Sequence, residues 1–175
     1  MRMQVNYRLA GVALVLLASA WAFLVSVAQA ADTIPGAPAG VMLSGVACAD
    51  GELVNDAEAM GGKAATGDGE YQSLVQAKLP ETGEAFTVWV HRKGGPIQLK
   101  AIVNGAQHEK VWNWGQPDGY EWCSMGRYKR AELGEGIVII RSGKQDRGIP
   151  RIDCVVFSAD AAAHPKGMLV PFPKS

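Results

Sequence analysis

The chain has 175 residues, with 17 basic and 17 acidic side chains, and 48% of its residues are hydrophobic. A formal charge of zero gives no basic field of the kind that holds nucleic acid. Three cysteines and three histidines without metal-ligand spacing exclude a sequence-encoded zinc site, and the lack of a CxxC excludes a thioredoxin-like redox role.

Residues 1–30 read as a secretory signal peptide. Arg2 and Arg8 precede the apolar run LAGVALVLLASAWAFLVSVAQA, which ends in Ala28-Gln29-Ala30, a small-residue cleavage site with Ala31 as the new N-terminus. The run is about twenty residues long, enough to span a bilayer, so cleavage and retention as an uncleaved anchor both stay open. The reading places the protein in the periplasm or secreted, with a membrane contact only if the leader is retained. Without it 145 residues remain, carrying 15 basic and 17 acidic side chains, enough for one domain with a real core.

Residues 31–40, ADTIPGAPAG, form a flexible leader rich in Pro, Gly and Ala. One domain spans residues 41–167. Strands are expected at 41–48, at 71–79 up to Pro80, and at 85–92, where Phe86, Val88 and Val90 share one face and Trp89 takes the other. A further strand at 97–103 leads to a tight turn at Asn104-Gly105. Residues 122–133 hold a strand interrupted near Gly126. GIVIIR at 136–141 and RIDCVVFS at 151–158 complete the set. No stretch carries a long helical period, and 55–63 supports one helical turn at most. The short tail, 168–175, contains two prolines. Seven or more short strands with Gly-rich connections point to an all-β sandwich.

Export exposes the cysteines to oxidising conditions. Cys48, Cys123 and Cys154 allow three single pairings. Cys154, read as inward-facing in its apolar strand, is matched with Cys48, which leaves Cys123 free or paired between chains.

The segment VWNWGQPDGYEWC gathers Trp112, Trp114, Tyr120 and Trp122 within eleven residues. Flat aromatic rings in loops suit the apolar faces of sugars, and they serve equally as packing. Trp112 and Trp114, two apart, share a side of an extended chain. Trp122 is expected in the core, with Tyr120 at the rim. Asn113, Asp118 and Glu121 supply the polar groups that specificity requires. His108-Glu109 is assigned to a loop, and His91 at a strand end is a lesser ligand candidate.

The pieces also resemble a family. NDAEAMGG with KAATGDG, the strand pair VQAKLPETGEAFTVWVHRKG, VWNWG with YEW, and AELGEGIVIIRSGKQDRGIPRIDCVVFSAD occur in the order seen in galactose-binding-like β-sandwich modules of carbohydrate-binding families six and thirty-five. The resemblance covers residues 41–167. It implies a jelly-roll-like, galactose-binding-like sandwich that binds glycans without catalysis, at rim loops or on a concave sheet face. It also implies a structural Ca²⁺ near the paired first and last strands. Asp153 matches the family's Asp in the final strand. The family's Glu-Ala-Glu in the first strand is replaced by VACADGE, where Asp50 or Glu52 would have to serve.

These readings lead to an exported, non-catalytic module for a polysaccharide or cell-envelope glycan. The competing expectation is a structural or assembly protein of the envelope that docks a protein partner. A catalytic carboxylate pair at Asp118 and Glu121 is the minority reading, and no nucleophile elbow is present.

Overall fold

The computed structural model describes residues 40–44, 50–143 and 147–166. The signal segment, nearly all of the 31–40 leader and the 168–175 tail lie outside the described residues, as does Cys48.

Among the described residues, ten strands form two antiparallel sheets. In chain order they are β1 (Gly40–Ser44), β2 (Glu52–Asn55), β3 (Lys63–Thr66), β4 (Ser73–Lys78), β5 (Ala85–Lys93), β6 (Ile97–Val103), β7 (Ala106–Asn113), β8 (Glu121–Lys129), β9 (Gly136–Arg141) and β10 (Arg151–Ser158). The larger sheet has the order β2-β3-β10-β5-β8, with β1 also on β10; the smaller has β4-β9-β6-β7. A 3-10 turn at Met60–Gly62 and the single-turn helix α1 (Arg130–Leu133) supply the helical residues. The expected all-β sandwich is the fold observed.

Alternation along the strands builds the core. Phe86, Val88 and Val90 of β5 and Val155 and Phe157 of β10 face Leu99 of β6 and Ile137 and Ile139 of β9. Phe86 and Phe157 meet edge to face, with ring centroids 6.0 Å apart. Each such fully buried side chain is worth about 1.5–3 kcal/mol. Asn104 and Gly105 both have positive φ, 52° and 73°, which matches the twist of the β6–β7 hairpin.

Three strand assignments differ from the sequence reading. β2 and β3 lie in a Gly-rich stretch whose short apolar signal is Ala64 and Ala65, both fully buried. β7 contains His108 and Glu109, which the sequence reading put in a loop. The Asn-Gly turn sends the chain back along β6, and β7 is an edge strand with mostly exposed side chains, so it has little alternation to read. The expected strand at 122–133 ends at Lys129, where α1 begins.

β10 carries a bulge between Ile152 and Cys154. Ile152 stays in the main core, whereas Cys154 joins Met60, Trp89 and Val156 in a second cluster on the outer face of the larger sheet. Cys154 is therefore buried but does not face the main core. It is a free thiol, as is the buried Cys123. The expected Cys48–Cys154 pairing falls on Cys48, outside the described residues; Cys154 itself is a free thiol clustered with Trp89 and Met60. Burial pushes both thiols up in pKa.

Candidate functional site

The site is organised around Arg92, the penultimate residue of the apolar strand AFTVWVHRK. Its side chain is fully buried. Nη1 donates to Gly95 O at 2.7 Å and Gly94 O at 3.3 Å; Nη2 donates to Asn113 Oδ1 at 2.7 Å and Gly115 O at 3.0 Å. One guanidinium thus ties the β5–β6 loop to the segment after β7. No carboxylate pairs with it among the described residues. The planar fork suits several fixed acceptors, as a lysine would not. Gly94 N–H adds a direct bond to Pro117 O, 2.8 Å.

This anchor places the aromatic pair. The Trp112 and Trp114 rings stack 4.8 Å apart at 15°. Trp114 is 48% exposed, and the Arg147 guanidinium lies over it, 5.3 Å from the centroid. The rings share a side, as their spacing predicts, but they form a ladder rather than a flat platform. Beside Trp112 across β6–β7 is Gln98, 1% exposed, with neither amide atom hydrogen-bonded.

An open cleft of about 320 Å³ lies next to the ladder. Its walls include Lys93, Gln116, Asp118, Arg147 and Arg151, with Gly94 and Gly148 at the backbone. Gly94 has φ +80°, and a Cβ there would strike the Ile149 carbonyl, so two loop backbones approach closely at the cleft's edge.

Behind the cleft sits Asp56, which is buried. Its carboxylate accepts from Arg151 Nη1 at 2.8 Å, Lys93 Nζ at 3.0 Å, Tyr120 OH at 3.2 Å and Glu58 N–H at 3.1 Å. Burial opposes ionisation, but the donors from Arg151, Lys93, Glu58 and Tyr120 together outweigh it and hold the carboxyl well below the usual range. Lys93 also reaches Glu58 Oε2 at 2.6 Å and covers the Tyr120 ring. Burial, with the charges of Asp153 and Asp56, raises the Tyr120 phenol far above its ordinary value.

The sequence candidates divide accordingly. Trp112 and Trp114 form the ladder, and Asp118 lines the adjoining cleft. Asn113 serves the fold: its Oδ1 accepts from Arg92 and from Gly115 N–H. Tyr120 stacks on His91, 5.2 Å between centroids, with its hydroxyl committed to Asp56. Glu121 is exposed at the start of β8 and is not among the residues lining the cleft. Trp122 is half-buried against His91 and the outer cluster, not in the main core.

Asp153, Asp50 and Glu52 do not fit the implied Ca²⁺ site. Asp153 is buried; Oδ1 lies 2.7 Å from His91 Nδ1, and Oδ2 accepts from Met60 N–H at 2.6 Å. Asp50 and Glu52 are exposed at the far edge of the sheet, beside β3. No group of three or more His, Cys, Asp or Glu suited to a metal occurs among the described residues. Calcium needs several oxygen ligands at once, and here the final-strand carboxylate is committed to an imidazole and an amide.

Sequence reasoning missed Arg92, Asp56, Lys93, Arg147 and Arg151. The nearest signal was HRKGG, a basic pair running from a strand into two glycines.

No family model matches the sequence, and no curated protein matches it. Among solved structures, the chain is similar to the GH26-CBM35 β-(1,4)-mannanase of Podospora anserina, at 17% identity and TM-score 0.46, over 72% of this chain and 29% of that one. It is also similar to CBM29_1, a family 29 carbohydrate-binding module from Piromyces equi, at 12% identity and TM-score 0.47, over 70% of this chain and 84% of that one. The chain thus spans less than a third of the mannanase. At these identities and scores the likeness concerns architecture and decides nothing about ligand.

Proposed function

We propose that the protein is an exported, non-catalytic carbohydrate-binding module that takes a polysaccharide or cell-envelope glycan at the Trp114 rim and its cleft. The observation that carries this reading is Trp114: a large aromatic ring, 48% exposed, stacked on its partner Trp112 and capped by Arg147, which lines the neighbouring polar cleft. Exposed indole is costly in water and is held rigid here by a buried guanidinium, the combination that a stacking site for sugar rings requires. Asp118 and Gln116 line the cleft and supply polar groups suited to a sugar's hydroxyls. The basic, apolar N-terminal segment supports export.

The test is a polysaccharide pull-down and glycan-array screen with the purified protein, alongside Trp114→Ala and Trp112→Ala variants checked by thermal melting. Binding that falls about tenfold or more in the folded Trp114→Ala variant is expected. Failure of folded protein to retain any glycan overturns the reading.

A further inference from the structure

We propose that the cleft takes the anionic group of an acidic saccharide, with Arg147 as the residue that meets it; the proposal rests on the glycan-binding reading and names the ligand class. Three of the side chains that line the cleft are cationic, Lys93, Arg147 and Arg151, against one acidic side chain, Asp118. The three cations are not equivalent. Lys93 and Arg151 are compensated from behind by Asp56 and Glu58. Arg147 forms no ion pair among the described residues. Its guanidinium rests on the Trp114 ring, 5.3 Å from the centroid.

That placement has a chemical consequence. A guanidinium lying on an aromatic face keeps its charge and its in-plane N–H groups available. Those groups match the two oxygens of a carboxylate, or two of a sulfate ester. A sugar ring at the rim of Trp114 with its acidic substituent on Arg147 uses both features. A neutral sugar brings no counter-charge to Arg147 and gains only the aromatic edge.

Three monosaccharides of one stereochemistry separate the sources of charge: galactose, galacturonate and galactose 6-sulfate. They are used to compete with immobilised polygalacturonate and a sulfated galactan for the full protein, with a neutral galactan as a third matrix. Retention on at least one acidic matrix is expected, weakening as salt rises from low to physiological strength. The matching acidic monosaccharide competes and galactose does not, which separates a site from plain ion exchange; the competitor that works identifies carboxylate or sulfate. Arg147→Gln loses roughly tenfold or more in affinity, Arg147→Lys recovers part of it, and Lys78→Gln, an exposed change on β4, loses nothing. Thermal melts of all three variants match the parent.

Equal acidic binding by Arg147→Gln refutes the inference. So does salt-independent retention on the neutral matrix alone, an outcome that leaves the glycan-binding reading standing. Retention on none of the matrices, nor on any glycan of the wider screen, removes both.

Discussion

Replacing Arg92 with Met tests whether one buried cation holds the candidate site together. The side chain makes four hydrogen bonds, at 2.7, 2.7, 3.0 and 3.3 Å, to two loops. Burying the charge costs several kcal/mol, and these carbonyl and amide dipoles offset that cost. Met removes the charge and fills much of the apolar path, but it leaves acceptors behind. Gly95 O is buried and goes unsatisfied at about 1–3 kcal/mol, whereas Asn113 and Gly115 lie nearer the surface and recover water at a smaller cost. The net loss is expected to be about 2–4 kcal/mol, on the order of a 10 °C fall in melting temperature for a domain of this size. Urea denaturation measures the first quantity. The second readout is optical: stacked indoles couple, so the far-ultraviolet circular dichroism of the Trp112–Trp114 pair should carry an exciton couplet that weakens in Arg92→Met. Arg92→Lys should fall between the two, since one ammonium cannot bridge both loops. A stability change under about 0.5 kcal/mol with the couplet intact would refute the reasoning, because the loops would then be held by other contacts such as Gly94 N–H to Pro117 O.

Asp56→Asn should cost about 2–4 kcal/mol at neutral pH, because it leaves Lys93 and Arg151 without their buried counter-charge. The carboxyl's folded pKa is depressed, so its stabilisation is full above the unfolded value of about 4 and fades as pH falls below it. The gap between parent and variant in urea melts should therefore close in acid; a gap that widens below pH 4 contradicts the network. Cys123 and Cys154 should resist alkylation at pH 8 in the native protein and react once it is unfolded, read by mass spectrometry in a Cys48→Ser background. Rapid native labelling of either would show that the sandwich opens locally. Excess EDTA should leave the melting temperature unchanged, since Asp153 is committed to His91 and Met60; a fall of several degrees would restore a structural cation.

Much of the architecture could be read from the chain because strand periodicity is local. Phe86, Val88 and Val90 alternate against Trp89, and the structure sets them on opposite faces of β5. Asn104-Gly105 specifies a hairpin by its own backbone preferences, and the Trp112–Trp114 spacing places both rings on one side in any extended chain. The site's electrostatics depend instead on pairings across long stretches of sequence. Asp56 meets Arg151 only because β3 and β5 flank β10, and Asp153 reaches His91 only because a bulge turns it outward. The same bulge makes a strand residue that resembles a metal ligand into half of a buried hydrogen-bonded pair. Arg92 looks in sequence like a charged strand end facing water. The sandwich instead closes over it, because four loop acceptors converge where its guanidinium lies. Alternation and turn chemistry thus determined the core strands and put Trp112 and Trp114 on one side of the chain. Which charges are buried, which are paired and which face the cleft was decided by tertiary contact, since a side chain's electrostatic environment is made by residues distant in the chain.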